Sequence, residues 1–247
     1  MSADVTNGTR PLVLVAGGGL AREAAAAARA AGRAVLGCLD DDPATWGRDV
    51  APGLTVLGGV EDAGNHAGAD FLVCAGRGVV RERLVSRLAS RGIGGNRFAT
   101  LVHPDACLAD DTEVGAGAVV LAGVVATSGV VVGDHVVCMP NVVLTHDDHL
   151  ADYATVCAGV VLGGNVSIGR GAYVGMAASV REGTHVGAGA LVGMGAVVLH
   201  DVGAGETWVG VPAAPLPERA RPVGRSRPGG SGGAPTAPAA SGTGGGR

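Results

Sequence analysis

Lysine is absent from this sequence, and aromatic residues make up only 2% of it. The missing lysine is a compositional bias rather than a mechanism. The scarcity of aromatics beside 47% hydrophobic content means that any core must be built from Val, Ala and Leu. No apolar run is long enough to span a bilayer. A secretory leader is also missing: Met1 to Arg10 is polar, and Leu12 to Ala16 is too short and runs straight into glycines. Positive charge is not concentrated anywhere in the part expected to be ordered, and the formal net charge of −4 gives no footprint for nucleic acid. The five cysteines, Cys38, Cys74, Cys107, Cys138 and Cys157, are odd in number and lack metal-ligand spacing, so free thiols in a reducing cytoplasm are expected. Glycine is abundant at 45 residues, yet it does not recur at every third position, which rules out collagen.

What the sequence does have is a rhythm of six. From Val102 to Val198 every sixth residue is aliphatic or small and apolar, through Leu108, Val114, Val120, Ala126, Val132, Cys138 and onward without a break. The residue four places after each of these is small or β-branched as well, and only Asp148 breaks this second row. A period of six is neither helical nor a strand alternation, so the chain must turn a corner at every repeat and stack as a parallel β-helix. Three hexads close one coil, which puts residue n against residue n+18 at a strand spacing of roughly 4.8 Å. Gly often follows the aliphatic residue (Gly115, Gly133, Gly163, Gly169, Gly175, Gly187, Gly193), as expected of a corner that needs unusual dihedrals.

Two other regions flank this one. Residues 11–97 alternate strand and helix: strands at Leu12–Ala16, Ala34–Leu39 and Phe71–Ala75, and helices at Ala21–Ala31 and Val80–Ser90. That order predicts a small parallel sheet of Rossmann type. Residues 98–216 form the β-helix, and 217–247, rich in Pro, Gly, Ser and Ala, are expected to be a disordered tail. The fold class is therefore α/β followed by all-β.

The doubled hexad signature resembles the hexapeptide-repeat acyltransferases. That resemblance implies a left-handed coil, a homotrimer of side-by-side helices, and acyl-CoA in the groove between neighbours.

Among the seven histidines, six read as surface or cap residues. His146 stands apart, at a corner two places after Leu144 and followed by two acids. The eighteen-residue arithmetic puts Gly164 on one side of it and Ser128 on the other, with Glu182 and His200 continuing the column. A general base for acyl transfer needs a side chain titrating near working pH, an acceptor to orient it, and an N–H to meet the developing oxyanion. His146, Asp147 and the Gly164 amide can supply them; the alternative is a solvated Thr-His-Asp-Asp turn.

Thr145-His146-Asp147, the run Ala158 to Gly169, and the closing Val209-Gly210-Val211-Pro212-Ala213 resemble the PglD/NeuD-type sugar acetyltransferases over nearly all of Pro11 to Ala214. The resemblance implies acetyl-CoA as co-substrate, His146 and Asp147 as the catalytic pair, and Gly164 and Thr155 on the cofactor side. Thr155 stands where some members carry a second His. In the N-terminal part it implies nucleotide-sugar binding by the turn Gly17-Gly18-Gly19 and by Asp40 and Asp41. A glycine turn at a helix start offers N–H groups to a phosphate, and an acid after the second strand accepts from a ribose or base. The dinucleotide fingerprint itself is incomplete, with Arg22 in place of its last Gly.

Three positions depart from the family pattern. Leu20 replaces a His after the glycine turn, Asp148 stands in an inward slot that is commonly small, and Ala214 replaces a basic residue near CoA, with Arg219 as a substitute. An unpaired charge at Asp148 would be costly, so it must be hydrogen-bonded or the coil must bulge. The expected activity is N-acetylation of an amino sugar on a nucleotide. Alternatives are O-acetylation of a sialic-acid type sugar, a non-catalytic nucleotide-sugar binder, and a zinc hydratase, for which His146 and His149 lack a third partner at coil spacing. No metal, nucleic acid or membrane partner is expected.

Overall fold

A computed structural model describes residues 9–217 of the protein. Residues 218–247, most of the expected tail, and with them Arg219, lie outside the described residues.

The N-terminal part runs β1 (Leu12–Val15), α1 (Gly19–Ala30), β2 (Val35–Leu39), β3 (Asp49–Ala51), β4 (Leu54–Gly58), β5 (Asp70–Val73) and α2 (Gly78–Ala89). The strands form one sheet in the order β3-β4-β2-β1-β5. Its other three pairings follow the expected parallel course, but β3 pairs antiparallel with β4. The sheet is thus mixed rather than wholly parallel. Pro52 and Gly53, with Gly53 at φ +67°, turn the chain back within two residues, too short a connection for a parallel crossover.

β1 is buried on both sides, as its unbroken apolar run requires. One side of the sheet meets α1 through Ala21, Ala24, Ala25 and Ala28, and the same cluster takes in Val119, Leu121 and Val137 of the β-helix. The alanine face lets α1 lie close between the two layers. The other side meets Leu84 and Leu88 of α2.

The β-helix consists of two-residue strands from Leu101–Val102 to Val197–Val198, arranged in three parallel sheets. Face one carries Val119–Val120, Val137–Cys138, Thr155–Val156 and Tyr173–Val174. Face two carries Val125–Ala126, Val143–Leu144 and Val161–Leu162, and face three Val131–Val132, His149–Leu150 and Ser167–Ile168. Every pairing has the eighteen-residue offset. Both inward rows fill one continuous core, which includes Val120 through Val198 of the six-residue series.

The glycines that follow the aliphatic residue have a different cause from the one expected. Left-handed dihedrals fall two places later, at Gly117, Gly129, Asp147 and Asn165 among others. Gly163 and Gly175 instead lie flat against the backbone of the next coil, where a Cβ would approach Glu182 N to 2.5 Å and Met194 N to 2.6 Å. They are glycine because coils at strand spacing leave no room for a side chain there.

Candidate active site

Leu144 is an inward residue of face two, and the chain turns after it toward His149 and Leu150 on face three. His146 and Asp147 occupy that turn. Asp147 takes the left-handed position with φ 61°, its N–H donating to Ser128 O at 2.9 Å. The His146 carbonyl accepts from Asn165 N–H at 2.8 Å, so the corner is tied to both neighbouring coils. Nδ1 of His146 is 2.9 Å from Asp147 Oδ2. A carboxylate there keeps the proton of the neutral ring on Nδ1 and leaves Nε2 as the free acceptor. Nε2 lies over Gly164, where a Cβ would overlap it. The Gly164 N–H has no partner among the described residues. An imidazole, a carboxylate and an amide unpartnered among the described residues thus meet at one corner, and in the single chain the His146 and Asp147 side chains are 67% and 68% exposed.

Asp148 is fully buried beside them and is hydrogen-bonded without loss of strand register: Oδ2 accepts from Thr145 N–H and Oδ1 from Val166 N–H, each at 2.8 Å. Burial pushes its carboxyl up to about 6, partly offset by these two bonds.

A cavity of about 570 Å³ opens elsewhere, between the N-terminal sheet and face one. Gly18, Gly19, Asp40 and Thr155 line it, together with Gly76 and Arg77. Gly17 lies just behind the wall and donates its N–H to Asp40 Oδ2 at 2.7 Å, so Asp40 holds the glycine turn in place. Asp41 is not on the cavity. Its carboxylate pairs with Arg87, which holds it below the ordinary carboxylate range, and also accepts from Val60 N–H. Thr155 donates to Gly76 O at 3.0 Å, which joins face one to the loop before α2. Leu20, the departure after the glycine turn, adds an apolar patch to the wall.

Sequence reasoning missed the remaining lining residues. Arg77 lies over the Tyr173 ring at 5.3 Å, and the Tyr173 hydroxyl is pushed up to about 12, first by its hydrogen bond with Cys157 and then by burial. Eighteen-residue arithmetic applied outward from Thr155 would have found Tyr173. The helices α1 and α2 both begin at this cavity, at Gly18 and Arg77, and neither first turn is closed by a side-chain cap. Such helix starts are suited to anions. His146, Asp147 and Gly164 lie at the corner between faces two and three, across the prism from face one.

No protein-family model matches the chain. Among solved structures, the acetyltransferase domain of PglB from Neisseria gonorrhoeae, in complex with acetyl coenzyme A, is 31% identical with a TM-score of 0.77, covering 85% of this chain and 100% of that one. The chain belongs to the PglD/NeuD-type sugar acetyltransferases. A mutant perosamine N-acetyltransferase from Caulobacter crescentus, in complex with CoA and GDP-perosamine, is 27% identical with a TM-score of 0.79, covering 84% of this chain and 97% of that one. WeeI from Acinetobacter baumannii, at 23% identity and a TM-score of 0.58 over 84% of this chain and 100% of that one, shares the fold. The β-helix is accordingly the left-handed form that marks this acetyltransferase family. Among the described residues no group of three or more His, Cys, Asp or Glu could hold a metal ion, and no helix is long and apolar enough to cross a membrane.

Proposed function

We propose that this acetyltransferase moves the acetyl group of acetyl-CoA to the amino group of an amino deoxysugar carried on a nucleotide. The observation that carries the reading is the corner at which His146 Nε2 overlies Gly164 while Nδ1 is fixed by Asp147. The sugar nitrogen attacks the thioester carbonyl, and its proton passes to Nε2. The oxyanion is met by the Gly164 N–H, the C–S bond breaks, and the imidazolium returns the proton to the CoA thiolate. No covalent enzyme intermediate is needed.

The cavity supports a nucleotide-linked acceptor. Two uncapped helix starts and Arg77 offer positive potential for a diphosphate, and Tyr173 and Leu20 offer apolar surface. The perosamine N-acetyltransferase is described with CoA and GDP-perosamine. Because cavity and base lie on opposite sides of one prism, the reading requires neighbouring copies, so that His146 of one chain serves the cavity of the next. A homotrimer is the assembly we propose.

Purified protein incubated with acetyl-CoA and a panel of nucleotide-linked amino sugars should release free CoA with at least one of them. H146A should lower kcat by roughly 10²- to 10⁴-fold, the usual worth of a general base. Silence across the whole panel, or an unimpaired H146A, would sink the reading.

A further inference from the structure

At the corner equivalent to Thr145 the coils are joined by a regular rung. Ala109 N–H donates to Ala126 O, Thr127 to Leu144 O, Gly163 to Val180 O, and Arg181 to Val198 O, at 2.9 to 3.1 Å. One rung of this column is replaced. Thr145 N–H turns instead to Asp148 Oδ2, and the Thr145 hydroxyl takes up the vacated Leu162 carbonyl at 3.1 Å. The pairing of the two strands shortens there to Val143 against Val161 alone. Asp148 Oδ1 meanwhile accepts the N–H of Val166, in the next coil. One carboxylate thus spans two corners, through Thr145 next to His146 and Val166 two residues after Gly164.

We infer that Asp148 is a positioning residue, which sets the distance between the base-bearing corner and the amide-bearing corner and does so only as a carboxylate with both oxygens accepting. The inference rests on the assignment of His146 as the base. An ionised carboxylate accepts at both oxygens, whereas a protonated one gives an oxygen over to an O–H that finds only aliphatic neighbours in this row, Val130 and Val166. The charged groups acting on Asp148 are His146, which favours its ionised form, and Asp147, which opposes it. Burial outweighs both and pushes the carboxyl up to about 6, so that the clamp opens as pH falls through that value. Activity then falls as pH drops through that value, because the spacing that serves His146 is released.

The test uses the full-length enzyme with acetyl-CoA and its best nucleotide sugar, comparing wild type, D148N, D148V and H146N. In wild type, log kcat should fall by about one unit through a step near pH 6, as the Asp148 carboxyl protonates and the clamp opens. In D148V the ordinary rung can form again, and in D148N the corner keeps its volume with one acceptor fewer. Both should lack that step and show a kcat about 10-fold lower near neutrality from the misplaced base, with KM values within about 3-fold of wild type. A structural role alone would change yield and melting temperature but leave the step as it was. If D148V fails to fold, D148N carries the same reading. Wild-type kcat and an unchanged step in the folded variant, with H146N inactive, overturn the spacing inference and spare the base assignment. An active H146N overturns the base assignment, and the inference with it.

Discussion

Glycine at 164 is required by the imidazole of His146. The ring lies where a Cβ would have to go, and among the described residues the Gly164 N–H has no partner. Adding one methyl forces the ring aside, because Asp147 on the other side holds Nδ1 and cannot yield without releasing the tautomer. G164A should therefore lose on the order of 100-fold in kcat, the penalty of moving a catalytic group by about an ångström. Overpacking at an exposed corner is milder than in a core, so the melting temperature should fall by only a few degrees. Side-by-side steady-state kinetics and thermal unfolding check this, and a kcat near wild type would show that the ring has room elsewhere. The corner was legible from sequence because eighteen-residue stacking is a geometric identity, which holds whatever the side chains. The partners of Asp148 were not legible. Periodicity shows that a charge stands in an apolar row, but only coordinates reveal which rung gives way to satisfy it.

At the scale of elements, the join between α2 and the β-helix depends on one buried cation. Arg81 is fully buried and donates to the carbonyls of His135, Tyr153 and Ala154 on the β-helix and of Ala75 and Gly76 in the loop before α2. No carboxylate is among its partners, and burial pushes the guanidinium down to about 10, still charged at neutral pH. Gly78, at the start of the same helix, sits so close to Tyr153 O that a Cβ would overlap it. R81M removes the fork and strands the carbonyls of Ala75, His135 and Tyr153, since Gly76 keeps the Thr155 hydroxyl and Ala154 the Val137 N–H, which should cost about 3 kcal/mol. Because Gly76 and Arg77 line the cavity, KM for the nucleotide sugar should rise about 10-fold while KM for acetyl-CoA changes less, on the cost of an unmade hydrogen-bond set. Urea titration and paired KM measurements test the two halves, and equal rises in both KM values would refute the cavity-wall role. This join had a faint signal in the sequence: Arg81 shares the three- and four-residue spacing of Leu84 and Leu88, a cation within the apolar stripe of α2. The β3-β4 hairpin was missed for a different reason. Its strands are too short to show alternation, and the Pro52-Gly53 turn is the sole mark they leave.

For the whole molecule, the His146 corner and the cavity lie across the prism from each other, and that placement sets what the proposed catalysis requires. A single chain exposes His146 at one corner and holds the cavity on the opposite side, without His146 in its lining. Sequence periodicity located the His146 corner, and the family resemblance pointed to the glycine turn, but neither showed their opposition, since the side of the prism covered by the N-terminal sheet depends on the packing of α1 against Val119, Leu121 and Val137. If each site joins the His146 corner of one copy to the cavity of another, two inactive variants should repair each other. H146A retains a sound cavity. G18F retains a sound base while filling the cavity, and the extended backbone at Gly18, φ −79° and ψ −162°, accepts a side chain without strain. Co-refolded in equal amounts into a cyclic trimer, each interface has a one-in-two chance of an intact base and a one-in-two chance of an intact cavity, so about one quarter of wild-type activity should return. A mixture assembled separately and combined without exchange should stay inactive. Sites built within one chain would give no recovery under either protocol, and that result would remove the need for a neighbour and with it the physical argument for the trimer.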